Sequence, residues 1–502
     1  MTVDVLDPAN KKIVILGGGT AGWMAANLLQ HHLAEHGYSI TLLESPDIGI
    51  VGVGEGSTPH LKNFFHTLGI AESDWMPACH ATFKNGISFK GWSSEAGYEQ
   101  YFHPFPCAAD KQTAASFLHN CMAKRHGHEV DAHPNHYFLS AYLAAQGLSP
   151  KSRGQQKLST NYAYHFDSVL LGQYLAKLAI NKGVKHIQGR CDSALNHPNG
   201  EIKCLVTDSG QQLEAEVFID CSGFRSVLLQ QHLNAQFCSY QNVLFNDAAV
   251  AIPSAATQHP SSQTVSQAMH AGWAWDIPLT SRVGNGYVYS SQFISRDQAE
   301  QELRIKLGMQ DSNVDARHLK MKIGRVQQHW LKNCLAVGLS QGFIEPLEAT
   351  ALHLVQHTIE SFVSAFIAGG LTQQHQGQFN QRINARFDGI RDYIVCHYKV
   401  NSRQDSQYWL ANQHNTSISD SLRHILECWD KGADITAEIN RQQIAEYYPA
   451  ISWHCLLAGY GKFEPSTGLF QSDKQQAEFA KIQRFIQRCA EEFLPHQQAL
   501  RK

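Results

Sequence analysis

Three glycines and two tryptophans offer the plainest chemistry in this sequence. Gly17, Gly19 and Gly22 form a G-x-G-x-x-G run around Gly18, Thr20 and Ala21. In such a run the first glycine permits a tight turn, the second lets backbone approach a pyrophosphate, and the third lets a helix pack close to a sheet. Amides at the helix start then face the phosphate charge. Far downstream, Trp273 and Trp275 lie two residues apart in the segment 272–278. In an extended chain such residues point to one side, so the pair predicts a single bulky wall. Core packing is the competing use, since tryptophan is largely buried whatever its role. Pro278 fixes the backbone and removes a donor, which predicts a rigid lining rather than a ladder strand.

The elements that must position these residues are legible around them. Residues 12–16 read as a buried strand before the glycine run, and 23–29 read as a helix after it, the order that gives the motif weight. A second strand, 39–43, ends at Glu44, 22 residues past Gly22. A carboxylate there accepts hydrogen bonds from an adenosine ribose. Residues 217–224 and 334–339 each read as a strand entering a turn, and such widely separated returning strands favour FAD over NAD. A single glycine run offers no second, nicotinamide site, so the flavin is expected to be reduced elsewhere and delivered.

Composition narrows the class. The 502 residues, 43% apolar and 17% charged, describe an ordinary globular chain too long for one small core. A net charge of −3 gives no reason to expect nucleic acid or an anionic membrane as partner. No stretch approaches twenty uninterrupted apolar residues, and the opening MTVDVLDPANKK lacks the apolar run of a secretory signal. Twelve cysteines without a C-x-x-C pair or zinc spacing predict reduced thiols in the cytoplasm and no metal. His126, His128, His133 and His136 are the densest histidine group, and their spacing predicts a solvated polar loop rather than a metal site.

Ten segments in order resemble the flavin-dependent tryptophan halogenases from about residue 12 to 461. They are GGGTAG (17–22), VGVGEGSTP (51–59), ATFKNGISF (81–89), YFHPF (101–105), YAYHFDS (162–168), FIDCSGF (218–224), GWAWDIP (272–278), NGYVYSS (285–291), GFIEPLEAT (342–350) and WHCLLAGYG (453–461). The W-x-W-x-I-P and E-P-L-E-x-T runs are the specific ones; the glycine motif is shared with many flavoproteins.

The resemblance implies a two-component enzyme. A separate reductase supplies FADH2 by diffusion, and FADH2, oxygen and chloride or bromide give hypohalous acid. It implies FAD contacts at Gly17, Gly19, Thr20, Ala21, Gly22, Glu44, Glu55, Leu339 and Leu352. Halide is implied at Thr350 and Ala351, where alanine replaces the glycine usual in the tryptophan enzymes. Trp273, Trp275, Ile277 and Pro278 would line the tunnel and keep substrate from the flavin. The tunnel leads to Lys84, whose amine can hydrogen-bond hypohalous acid or become a haloamine once desolvated. Glu348 can stabilise the cationic ring intermediate, accept its proton or orient the oxidant. The bland role for Glu348 is a carboxylate at the first turn of a helix over 349–368.

His103 and Phe105 match positions that stack an indole ring, and Trp453 is a further wall of that pocket. Tryptophan-specific members carry a Tyr-Tyr pair and a Glu for the amino-acid groups. Here Tyr447-Tyr448 lies too close to Trp453 to match. Tryptophan, indole and a larger indole-bearing molecule therefore all stand as substrates. The expected architecture is α/β: a Rossmann-type FAD- and halide-binding domain over 1–370, then a mainly helical substrate-covering region over 371–502, for example a helix at 477–493. A homodimer is one expected assembly. A flavin monooxygenase or a non-catalytic flavin-binding protein would share the glycine loop without needing Lys84, Glu348 and the tryptophan wall together.

Overall fold

The computed structural model describes residues 11–49, 52, 54–153, 158–464 and 473–501. Most of the opening segment judged for a signal, and Val51 and Val53 of VGVGEGSTP, lie outside that set.

Strand Lys11–Leu16 sits inside a six-stranded sheet because its apolar run is buried on both faces, as parallel strands require. It pairs in parallel with Tyr38–Glu44 on one side and Val217–Asp220 on the other. Cys334–Ala336 extends the sheet beyond Val217–Asp220, and Lys185–Gln188 extends it beyond Tyr38–Glu44. The two returning strands expected from sequence thus stand in parallel on one side of the glycine-run strand, Val217–Asp220 next to it and Cys334–Ala336 beyond, which aims their turns at one edge.

A seven-stranded sheet supplies the second layer, in the order Arg317–Lys320, Ala248–Ala255, Arg282–Tyr289, Gly272–Pro278, Thr264–Met269, Gly86–Lys90, Gln100–Pro104. Between the layers, Ala163–Asp167 pairs antiparallel with Gly54–Gly56 and with Thr82–Lys84. This small sheet brings Gly56, His165 and Lys84 close together from three separate stretches of chain, with Glu55 on its other face.

Several sequence expectations need correction. Gly272–Pro278 is a ladder strand, paired on both sides with Thr264–Met269 and Arg282–Tyr289. Pro278 is tolerated because it ends the strand: pairing with Thr264–Met269 stops at Asp276, so the lost N–H interrupts nothing there. The helix read over 349–368 spans Ala351–Ala368, because Ala349 takes a left-handed φ of 55°. The helix read over 477–493 spans Asp473–Ala490, and Phe493–Pro495 is instead a short strand against Leu148–Ser152. His126 and His128 are exposed, but His133 is buried and packs on Tyr98 at 5.3 Å between ring centroids, so the histidine loop is only partly solvated.

After Gln376 the described chain is mainly helical. Helix Gln376–Lys399 carries a buried stripe and packs against Ala351–Ala368, and Ala450–Gly459 packs on Gln100–Pro104. Among the described residues no helix is long and apolar enough to cross a membrane.

Candidate active site

The glycine run is built as a phosphate cradle. Gly17 has φ +114°, and a Cβ there would lie 2.3 Å from the Cys221 carbonyl oxygen. A Cβ on Gly22 would lie 1.9 Å from the Gly17 carbonyl oxygen, so helix Thr20–Leu33 packs closely only with glycine. Above Gly19 there is open space out to 4 Å, and no side chain caps the helix start at Thr20 and Ala21. Its first amides therefore face that space. Glu44 ends its strand with Oε1 2.9 Å from His186 Nε2. Leu339 lies in the turn 338–340 and Leu352 in the first turn of Ala351–Ala368. Burial raises the Glu55 carboxyl to about 7; a hydrogen bond with Ser168 works against that rise. Uncapped amides, open backbone and a strand-end carboxylate together fit an adenine dinucleotide.

Lys84 is fully buried at the end of Thr82–Lys84. Its Nζ donates to the Ser57 carbonyl at 3.0 Å and lies 5.8 Å from the centroid of the Phe105 ring. Burial brings the amine down to about 7, partly opposed by the charge of Glu348. His165 neighbours it, held between the hydroxyls of Thr82 at 3.0 Å and Thr264 at 2.9 Å.

Glu348 is buried in the one-turn segment Pro346–Glu348, before the left-handed Ala349. It is therefore not a first-turn helix carboxylate. Its Oε1 lies 2.9 Å from His397 Nε2 and 3.8 Å from His103 Nδ1. Burial raises its pKa, and the charges of His103 and Lys84 pull it back. Burial holds the His397 imidazole well below its usual range, so the ring is neutral; against an ionised Glu348 carboxylate its Nε2 carries the proton, and Nδ1 accepts from the Tyr460 hydroxyl at 2.8 Å. Thr350 is buried at the start of Ala351–Ala368, whose first amides have no side-chain cap, and Ala351 follows it.

Trp273 and Trp275 are buried with ring centroids 6.2 Å apart, as the period-two reading requires. Gly286 on the neighbouring strand makes room for them, since a Cβ there would lie 2.1 Å from the Trp275 ring. Ile277 and Pro278 continue the strand toward Gly54 and Thr82, and the Thr82 hydroxyl donates to the Pro278 carbonyl at 2.7 Å.

The aromatic side is assembled mostly by helices. His103 Nδ1 is 3.1 Å from the Tyr393 hydroxyl, which also donates to the Ser452 carbonyl at 3.1 Å. Tyr393 meets Trp453 edge-on at 4.9 Å and stacks on Tyr448 at 3.6 Å. The hydroxyl of Tyr448 and the indole N–H of Trp453 are buried without partners among the described residues.

Lys84, Glu348, His103, Phe105 and Trp453 thus surround one region, fed by strands on one side and helices on the other. Sequence reading missed Tyr393 and His397, which lie four apart on one face of Gln376–Lys399. It also missed Glu345, buried and raised to about 7 by that burial, with Asn246 donating at 2.7 Å and Tyr398 donating to its other oxygen. The helical period of 390–397 was the available signal, but nothing in it marks His397 as a carboxylate partner.

Comparison with known proteins bears on this arrangement. The model of the tryptophan halogenase family matches residues 12–470. The 7-chloro-L-tryptophan 6-halogenase KtzR of Kutzneria sp. (strain 744) is 35% identical over 500 residues, covering 94% of this chain and 95% of that protein. Tryptophan 6-halogenase SttH of Streptomyces toxytricini is 34% identical over 93% of both chains. Its solved structure superposes with a TM-score of 0.83 at 33% identity, covering 98% of this chain and 99% of SttH. The structure of Tar14, a tryptophan C-6 flavin-dependent halogenase (chlorinase) from taromycin biosynthesis, gives a TM-score of 0.84 at 34% identity, over 98% of this chain and 99% of Tar14.

Proposed function

We propose, from the premise that this chain belongs to the tryptophan halogenase family, that Lys84 and Glu348 are the groups with which it halogenates an indole-type ring. The chain is a flavin-dependent halogenase; which residues do the work, and on which indole, is the proposal. The observation that carries it is a lysine with no solvent exposure, brought down to about 7, within reach of the charge of a buried glutamate.

Gly17, Gly19, Thr20, Ala21 and Gly22 would hold the FAD pyrophosphate and Glu44 its ribose, with Glu55, Leu339 and Leu352 along the remainder. Bound reduced FAD supplies the two electrons and, with oxygen, halide and a proton, gives hypohalous acid and water. The free amides at Thr350 and Ala351 would hold the halide. Ala351 keeps the backbone donor that glycine would offer and adds a methyl group, which narrows the space. Trp273, Trp275, Ile277 and Pro278 would form the wall that passes a small oxidant and holds an indole back, a role supported by their burial on one strand.

At the substrate, the ammonium of Lys84 hydrogen-bonds the oxygen of the hypohalous acid. The ring carbon attacks the halogen, the oxygen–halogen bond breaks, and Lys84 gives its proton to the departing hydroxide to form water. The cationic ring then loses its proton to Glu348, and that proton returns to Lys84. A donor near pH 7 is matched to this task, since it both holds and releases a proton at working pH. His397 holds the Glu348 oxygen in place through Nε2–H. His103, Phe105 and Trp453 would fix the ring plane.

Residues 1–370 would form the FAD- and halide-binding part and 371–502 the substrate-covering part, a division supported by Tyr393, His397 and Trp453 all reaching the pocket from helices after Gln376. FADH2 would come from a separate reductase, and twelve unpaired cysteines support a reducing, cytoplasmic setting. The deciding test is incubation with FAD, a generic flavin reductase, NADH, oxygen, bromide or chloride and a panel of indoles. Mass spectrometry should show the halogen isotope pattern. A hydroxylated product without halogen would sink the proposal.

A further inference from the structure

A second group of histidines and arginines lies outside the site described above, where helices His60–Thr67, Ala351–Ala368 and Gln376–Lys399 meet. His60 and His353 stack face to face with centroids 3.9 Å apart at 9°, and His357 follows one turn later at 6.4 Å from His353. Arg386 is 5% exposed, its Nε has no partner among the described residues, and its ion-pair partner among them is Glu446, at 3.4 Å. Arg382 stands one turn before it, exposed at the rim with His60. Burial and the Arg386 charge hold His353 well below the usual imidazole range, and His357 sits at about 3 for the same reasons. Two guanidiniums against one half-exposed carboxylate leave the group short of negative charge, and a buried guanidinium with a bare N–H is costly to keep.

This group shares a helix with residues of the substrate pocket. On Gln376–Lys399, residues 386, 389, 393 and 397 share one face. His397 touches Glu348, Tyr393 touches His103, and Arg386 lies seven residues, or about 10 Å, further from the chemistry. Tyr447 bridges the interval: Arg386 lies over its ring at 5.2 Å, and a Cβ on Gly389 would lie 2.2 Å from that ring. Its neighbour Tyr448 stacks on Tyr393.

We propose that Arg386, with His60, His353 and Arg382, is an anion subsite that binds a carboxylate carried by the indole substrate roughly 10 Å from the ring. The carboxylate displaces Glu446 as the partner of Arg386 and takes the free Nε–H. This rests on the halogenase reading above and narrows its substrate to indoles bearing a distant acid. Phosphate offers the same chemistry from solution, so the test separates the two sources.

The experiment compares indole-3-alkanoic acids from acetic to octanoic with their methyl esters, at saturating flavin reductase and bromide. A charge-assisted contact predicts kcat/KM for the long acids about ten-fold or more above their esters, with no such gap at acetic acid. In Arg386→Gln and, separately, His60→Ala, the acid-to-ester ratio falls toward one, whatever happens to overall rate. Inorganic phosphate should compete with the long acids and spare indole; phosphate that competes while acids and esters are turned over alike would make the site a free-phosphate site and overturn the substrate assignment. Indole halogenated with an acid-to-ester ratio of one at every length, or with no acid accepted, overturns the subsite. Indole left unhalogenated would instead overturn the parent reading.

Discussion

The carboxylate of Glu348 and the imidazole of His397 meet at 2.9 Å in a space almost closed to solvent, and the imidazole ring is itself stacked on Phe89 at 4.6 Å. Replacing His397 with Phe keeps a ring on Phe89 and deletes the N–H. Loss of a hydrogen bond to a buried charge costs about 1.5–3 kcal/mol, so kcat should fall on the order of ten- to a hundred-fold. KM for halide should stay put. Equal loss in both constants, or none, would show that His397 only packs.

Lys84→Ala should abolish product, a loss of at least about a hundred-fold, while flavin binding and formation of hypohalous acid persist. Trapping the oxidant with a small thioether, alongside flavin fluorescence, separates these steps. Loss of flavin binding in this variant would contradict the assigned role.

The rate of halogen transfer should depend on pH as a bell. Lys84 must keep its proton, so the rate falls as pH rises through about 7. Glu348 must be ionised, and its raised pKa places the acidic limb above the ordinary carboxylate range. The two limbs belong to the interacting pair. A kcat profile under saturating reductase that still climbs at pH 9 would rule out the ammonium donor.

Lys84 should also weaken the fold. Its amine is protonated in the unfolded chain up to about pH 10 but loses its proton near 7 when folded. Between these values the unfolded state binds more protons, so stability rises with pH across that window. At pH 7 and below the penalty is largest. Lys84→Met should therefore be more stable than wild type at pH 7, by on the order of 4 kcal/mol, with the gap narrowing toward pH 10. Thermal denaturation at the two pH values measures both.

Gly286→Ala tests the tryptophan wall without touching either indole. A Cβ 2.1 Å from the Trp275 ring must push it aside, at a cost of about 1–3 kcal/mol. Hypohalous acid trapped by an added thioether per NADH consumed should rise as the oxidant escapes its route. An unchanged coupling ratio would mean that the wall does not guide it.

What could be read from sequence followed the range of the interactions involved. The glycine run, its strands and Glu44 are local features, set by turn geometry and by a strand-helix-strand order spanning about thirty residues. The facing of Trp273 and Trp275 follows from strand period alone, yet their strand's place inside a seven-stranded sheet depends on partners at Thr264–Met269 and Arg282–Tyr289. Pro278 misled because its cost depends on whether a neighbour strand reaches it. Tyr393, His397 and Tyr448 were illegible for a further reason. Their contacts with His103, Glu348 and one another join positions 49 to 290 residues apart, and no local pattern encodes such pairings.

The chemistry and the recognition rest on different kinds of scaffold. His165 and the tryptophan strand are woven into sheets whose ladders fix them from both sides, and Lys84 is laddered to the His165 strand, whereas Tyr393, Tyr448, Trp453 and Arg386 stand on helices and a connecting segment. A substitution on the helical side can reshape the cavity without disturbing a single ladder hydrogen bond. Lineages descending from such an enzyme could therefore exchange one guest for another in a few steps while inheriting the oxidant route intact, and a laboratory library confined to 386–393 and 443–453, sparing His397, would explore new guests at little risk to the reaction itself.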